Sequence, residues 1–316
     1  MIPEWTILRY SPEDADLWNR FVNDSRQGTF LLQRDYMDYH SNRFEDFSLI
    51  ALRNNKATAI LPANRVDSTL FSHQGLTYGG WLTPKKHFDG TDMLELFETW
   101  ISWLRSMSFD KVIYKPIPHI YHTLPAEEDL YALFRYGATV ESTQLSSVIC
   151  LTNNPGFNTQ QLRNLKKFTA TTDCRIWETN SADEILGIVN SCLTERHNSV
   201  AVHSAAELQL LHDRFPHQIR FFLCGRTDIP EAAVCIYDTN SVAHCQYIAT
   251  TPAGRNSGAL AYLFNSLIHQ EFADHKYFDF GTSNEHNGLI LNSGLHHQKT
   301  GLGGRGIACP TYRLSF

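Results

Sequence analysis

The sequence has no uninterrupted apolar run near the ~18 residues that a membrane-spanning helix needs, so no span is expected. It has no CxxC pair, and its seven cysteines (150, 174, 192, 224, 235, 245 and 309) are an odd, scattered set. That pattern argues against a disulfide framework and for reduced thiols in the cytoplasm. Residues 1–6 lack a basic and then apolar leader, so no signal peptide is expected. GxxxxGK[ST], HExxH and GxSxG are all missing, which removes the P-loop, the HExxH metalloprotease and the nucleophile elbow. Positive charge is not in excess: 27 Lys+Arg against 33 Asp+Glu leave −6. That balance speaks against a protein built around nucleic acid, which needs concentrated cations. The one local basic cluster is Arg163, Lys166 and Lys167, an ordinary solvated helix face or a small contact for tRNA. Histidine is abundant at 15 residues, yet neither His119/His122 nor His296/His297 is joined by cysteines or carboxylates at zinc spacing. No metal is expected.

What the chain does contain is an ordinary globular composition, 42% hydrophobic and 19% charged over 316 residues. At roughly 100–200 residues per domain that length suits two domains. It also contains a repeat. Thr83-Pro84 returns as Thr251-Pro252, and Leu96-Phe97 with Ile101 returns as Leu263-Phe264 with Ile268, a lag of 167 or 168 residues. Each copy follows a strand-like run (76–82 and 243–250), enters a helix and reaches another strand (111–114 and 277–280). Leu94, Phe97, Ile101 and Leu104 share one helical face, as do Leu260, Leu263, Leu267 and Ile268. A hairpin precedes each copy: 47–53 with 57–64 around Asn54-Asn55, and 220–224 with 231–237 around a loop holding Asp228. The turn-rich stretch 152–156 predicts a boundary, giving domains 1–152 and 153–316.

The chemistry concentrates in the second half. Strand 243–250 leads into Thr251–Gly258 and a helix from about Ala259. Gly254 and Gly258 allow close backbone approach, and a helix start offers unpaired N–H groups, a combination suited to phosphate. The plain alternative is a glycine turn with Ser257 as helix cap. The first half has Lys85–Gly90 in the equivalent place and lacks the paired glycines. Gly301–Gly306 has too little chain after it for a dinucleotide motif and reads as a loop passing close to a ligand or strand. Asp279, Glu285 and Lys299 follow the last strand of the repeat, where polar groups at strand ends often face a cleft. A lysine there suits an oxyanion, and a carboxylate suits an amine proton. The plain alternative is a solvated Lys299 and a turn-capping Asp279.

The run Gln246–Ala249, Phe278–Glu285, Gly288, Leu291–Leu295 and Lys299–Gly304 resembles FemAB-like proteins of the GNAT N-acyltransferase superfamily. The shorter relatives with two tandem GNAT-like domains are the nearest match. The resemblance implies an α/β fold with a mixed, largely antiparallel sheet in each half, flanked by helices. It implies N-acyl or aminoacyl transfer to an amine of a cell-envelope precursor or small molecule. The donor is acyl-CoA, or aminoacyl-tRNA as in the FemAB branch, whose acceptors are peptidoglycan precursors. Arg255-Asn256-Ser257-Gly258 falls on the first four positions of the pyrophosphate turn, with Leu260 where the family has Gly or Ala. Gln246, Tyr247, Gly254, Arg255, Ser257 and Gly258 are then the donor residues. Lys299 falls on the oxyanion lysine, with Asp279 or Glu285 assisting proton removal and the first domain serving as scaffold. A scaffold that has kept its cleft and lost the donor site is the rival reading.

Overall fold

The computed structural model describes residues 5–197, 199–239 and 241–316. Two compact units divide the chain, Met1–Gln144 with Cys309–Phe316, and Leu145–Ala308. The turn-rich stretch 152–156 thus lies within the second unit, and the C-terminal segment returns to the first.

The first unit runs β1 (Trp5–Arg9), α1 (Ala15–Asp24), α2 (Arg34–Met37), β2 (Glu45–Asp46), β3 (Leu49–Arg53), β4 (Lys56–Leu61), β5 (Asn64–Val66), β6 (Thr69–Phe71), α3 (Gly90–Ser106), β7 (Lys111–Tyr114) and α4 (Glu128–Arg135). Asn54 and Asn55 close the β3–β4 hairpin with φ of 50° and 62°, values that asparagine tolerates better than most residues. Strand order is β1-β3-β4 in one sheet and β2-β5-β6-β7 in the other. Helix α3 starts at Asp89, whose carboxylate accepts from Thr91 and Asp92 N–H groups while Asp92 reciprocates. Its Leu96, Phe97, Trp100, Ile101 and Leu104 are buried together, each contributing on the order of 1.5–3 kcal/mol. The run 76–82 makes only single bridges, Ile60 to Leu82 and Gly79 to Pro116, instead of a strand. One reason is that the Trp81 N–H is taken by the Tyr114 hydroxyl at 2.7 Å.

The second unit begins within β8 (Thr139–Cys150) and continues α5 (Thr159–Thr169), β9 (Cys174–Thr179), α6 (Ala182–His197), α7 (Ala205–Arg214), β10 (Ile219–Arg226), β11 (Ile229–Asp238), β12 (Val242–Thr250), α8 (Pro252–Ser257), α9 (Ala259–Ser266), β13 (Tyr277–Thr282), the small strands β14 (Asn284–Glu285) and β15 (Ile290–Leu291), and α10 (Ser293–Gly301). Its sheet is ordered β8-β13-β12-β11-β10-β9. All neighbours are antiparallel except the pair β12–β13. Alternation sorts the side chains. Val234, Ile236, Ala243, Cys245, Phe278 and Phe280 pack with Leu263 and Phe264 of α9 and with Leu267 just after it, and the residues between them face the other side.

The last strand, β16 (Arg305–Ser315), ends in the first unit, where Tyr312 to Ser315 pair with Tyr114 to Lys111 of β7 and Leu314 joins the core. No disulfide joins any of the seven cysteines. No helix among the described residues is long and apolar enough to cross a membrane.

Candidate active site

The parallel pair β12–β13 is short. Val242 faces Tyr277, Ala243 faces Phe278 and His244 faces Asp279, and there the pairing stops. Beyond it, β12 runs on beside β11 alone, and β13 leaves its register with β8 between Asp279 and Thr282. The two strands therefore part at His244 and Asp279. A bulge at Gln246, where Cys235 pairs with Tyr247 and Ile236 with Cys245, shifts the alternation by one residue. That shift turns Tyr247 toward the side of the sheet that His244 occupies. The Tyr247 hydroxyl lies 2.6 Å from His203 Nδ1 and 3.2 Å from the His203 N–H.

Asp279 is buried at the parting. Its Oδ1 accepts from Ser146 Oγ at 2.6 Å and from the Gly281 N–H at 2.8 Å. Its Oδ2 lies 2.8 Å from His244 Nδ1. Burial alone pushes the carboxyl up, but the His244 charge and these hydrogen bonds outweigh it and hold the pKa at about 2. Lys299 comes from α10, whose cap is Asn292, the acceptor for the Leu295 N–H. The lysine is 5% exposed, and its Nζ donates to the carbonyls of Gly281 at 3.0 Å and Thr282 at 2.6 Å. Burial pulls its pKa down to about 8, with Cys245 and Asp279 opposing. Lys299 is thus not a solvated helix residue, and Gly281 links it to Asp279: the N–H of that glycine serves the carboxylate and its carbonyl serves the ammonium.

Glu285 stands apart. It is exposed on β14 and accepts from Asn292 Nδ2 at 2.8 Å. The sequence did not single out His244 or Ser146. The available signal for His244 was a polar residue alternating with the apolar Ala243 and Cys245 on a strand beside the Asp279 strand.

The donor turn is more helical than its glycines suggest. Residues 252–257 form α8, capped by Thr251, whose hydroxyl accepts the Gly254 N–H at 3.1 Å, with Pro252 at the first helical position. Gly258, with φ of 90°, joins α8 to α9. Both glycines abut the protein's own backbone: a Cβ would come within 2.0 Å of the Glu231 oxygen at Gly254, and 2.3 Å of the Asn164 oxygen at Gly258. Ser257 is no cap. Its hydroxyl donates to the Glu231 carboxylate, which also pairs with Arg226 at 2.7 Å. Arg255 pairs with Glu195 at 2.9 Å. Beside this turn a pocket of about 220 Å³ is lined by Gly254, Arg255 and Gly258, by Gln161 and Asn164 of α5, and by Gln298 of α10. Donor turn and lysine helix thus meet at one pocket.

The glycine contacts yield a stability prediction. Gly258→Ala should cost at least ~2 kcal/mol, the sum of a left-handed alanine and a backbone clash. Gly156→Ala, where φ is 75° and nothing lies within 4 Å, should cost only the conformational part, about 1–2 kcal/mol. Urea midpoints measure both, and equal losses would refute the clash.

The histidine pairs hold no metal arrangement. His122 is buried with Nε2 at 2.9 Å from the Ile117 oxygen, and burial lowers its pKa to about 4. His296 Nδ1 lies 3.5 Å from Ser147 Oγ. No group of three or more His, Cys, Asp or Glu residues able to hold a metal ion occurs among the described residues.

No protein-family model and no curated protein matches the sequence. Solved structures do match it in fold. FemX superposes with a TM-score of 0.68 at 9% identity, covering 98% of this chain and 97% of that one. A conserved protein of unknown function from Bacteroides thetaiotaomicron gives 0.59 at 10% identity, over 98% and 99% of the two chains. The C-terminal domain of a putative lysylphosphatidylglycerol synthetase from Agrobacterium fabrum gives 0.57 at 10%, over 95% and 90%. With mixed sheets flanked by helices in both units, the chain has the α/β fold of FemX.

Proposed function

We propose that this protein transfers an acyl or aminoacyl group to an amine, with donor and chemistry both in the second unit. The observation that carries the reading is the meeting of three features: the parting of β12 from β13, the buried Lys299 ammonium at that point, and the pocket between the donor turn and α10. An ammonium has three donors. Two go to the Gly281 and Thr282 carbonyls, which fixes the group while leaving one N–H for a developing oxyanion. A preorganised cation in a water-poor site is the arrangement that lowers an acyl-transfer barrier.

The donor occupies the pocket beside Gly254, Arg255 and Gly258, with Gln246 and Tyr247 along its acyl arm and Ser257 holding the turn through Glu231. Acyl-CoA and aminoacyl-tRNA are the two donor classes. The name of the Agrobacterium fabrum neighbour denotes an aminoacyl product on a phospholipid, which favours an aminoacyl group and a cell-envelope acceptor reached from the cytoplasm. The net charge of −6 favours the compact CoA over a large RNA.

Calorimetric titration with acetyl-CoA, CoA and a non-hydrolysable lysyl-adenosine tests the reading. One of them should bind in the micromolar range, and Gln298→Trp, which fills the pocket from α10, should weaken that binding at least ~10-fold. A folded protein that binds none of the three would leave a scaffold without a donor site.

A further inference from the structure

We infer that His244 is the general base of the transfer and that Asp279 and Ser146 are its positioning residues. The inference rests on the transferase reading above and assigns the proton, which that reading leaves open.

Asp279 is poorly suited to take a proton. Its oxygens are already engaged by Ser146, Gly281 and His244, and a carboxylate so held is a weak base. Glu285 is tied to Asn292 on the β14–β15 hairpin. His244 has the complementary properties. An ionised carboxylate only accepts hydrogen bonds, so His244 Nδ1 must carry the proton and the neutral ring has its lone pair on Nε2. A buried carboxylate behind an imidazole fixes tautomer and ring plane and stabilises the imidazolium that forms. The carboxylate is fixed in turn by the Ser146 hydroxyl from β8. The His244 side chain keeps 13% of its surface exposed against 5% for Asp279.

The placement fits the chemistry. His244 is the last residue of β12 paired with β13, so its ring stands where the strands part. Its partner across β11 is Tyr237. Gly281 lies against the ring, a Cβ there falling 3.5 Å from His244 Cε1, and the carbonyl of the same glycine holds Lys299. Asp279 from β13 contacts the imidazole directly, Tyr237 of β11 is its register partner, α6 packs against the same strand, and Lys299 from α10 reaches the Gly281 carbonyl beside the ring. Alternation puts His244 and Asp279 on the face away from α9, and α10 brings Lys299 to the opening by its own route.

In the step, the acceptor nitrogen bonds to the donor carbonyl carbon and the carbonyl electron pair moves to oxygen beside Lys299. Nε2 takes the surplus proton of that nitrogen. Collapse reforms the C=O bond and breaks the bond to the leaving group, C–S for a thioester or C–O for an aminoacyl ester. The leaving atom departs with the electron pair and receives the proton from His244.

The test measures transfer from acetyl-CoA and from lysyl-tRNA to ethylamine and glycinamide across pH 5–9. His244→Gln should lower kcat/KM about 10²–10³-fold and abolish the acid limb of the profile, with the donor KM unchanged. Added imidazole should restore activity to His244→Gly. Asp279→Asn should move the acid limb of the rate profile and lower kcat with the donor KM unchanged. Ser146→Ala should do so more weakly. If His244→Gln does not fold, His244→Asn and Asp279→Asn carry the same readouts. Wild-type transfer that persists in His244→Gln within threefold and with an unchanged profile overturns the base assignment alone. No wild-type transfer from either donor overturns the transferase reading and this inference with it.

Discussion

Lys299→Met should lower acyl transfer by about 10²–10³-fold while leaving the protein folded, the loss expected when one preorganised donor to an oxyanion is removed. Two opposing effects limit the change in stability. Without the ammonium, the carbonyls of Gly281 and Thr282 lose their partner, at a cost of about 1–3 kcal/mol. Removing a buried charge recovers desolvation of similar order. Lys299→Arg should not restore the rate, because a planar guanidinium cannot hold two adjacent carbonyls and an oxyanion with the geometry of a tetrahedral ammonium. Steady-state rates and urea midpoints on the same preparations decide the matter. A large loss of stability, with activity falling only as the folded fraction falls, would make Lys299 structural.

The pH dependence gives the same residue a second signature. Burial lowers its pKa from the usual lysine value of 10.5 to about 8. The ammonium is the active form, so the rate should fall as pH rises through about 8. Stability should change in the opposite direction. The folded protein releases this proton before the unfolded chain does, so between pH 8 and 10.5 the unfolded chain binds more protons and the Lys299 contribution to stability rises with pH. Lys299→Met should remove both trends. Asp279 acts at the other end of the scale. Its carboxyl is held at about 2 against 3.8 for a free one, so its contribution is fully present above about pH 4 and is lost as pH falls toward 2. That contribution is on the order of 2 kcal/mol.

Periodicity and turn chemistry made most of the fold legible. The α3 stripe, the α9 stripe, the Asn54-Asn55 hairpin and strand β7 are all local patterns, and the structure has each of them. What stayed hidden depends on contacts distant in sequence. The pairing of Tyr312–Ser315 with β7 crosses about two hundred residues, and no local signal reveals it. Gly258 looked like a place for a ligand because a glycine permits close approach, but what approaches it is Asn164 of α5. Lys299 and Asp279 were readable as candidates because they lie near the last strand. The His244–Asp279 contact was not, since it depends on which strands are parallel neighbours and where their pairing ends.

One further expectation contrasts two arginines, Arg26 beside Thr83 in the first unit and Arg255 beside Thr251 in the second. In the first unit the Thr83 hydroxyl accepts from Arg26 Nη2 at 2.7 Å and from Gln27 Nε2 at 3.1 Å. Arg26 also pairs with Glu128 at 2.7 Å, their side chains 8% and 23% exposed. This corner is closed by its own side chains. In the second unit the Thr251 hydroxyl accepts the Gly254 N–H, a pocket remains beside the turn, and Arg255 pairs with Glu195 at side-chain exposures of 25% and 50%. Breaking a buried pair from one side strands the other charge, so Arg26→Leu should cost about 3–5 kcal/mol. Arg255→Leu should cost less than about 1 kcal/mol, as exposed pairs do, and should act on donor binding instead. Chemical denaturation of both variants measures the contrast. If Arg26→Leu proved as mild as Arg255→Leu, the first corner would be no more closed than the second, and the reason for placing the donor in the second unit alone would fall.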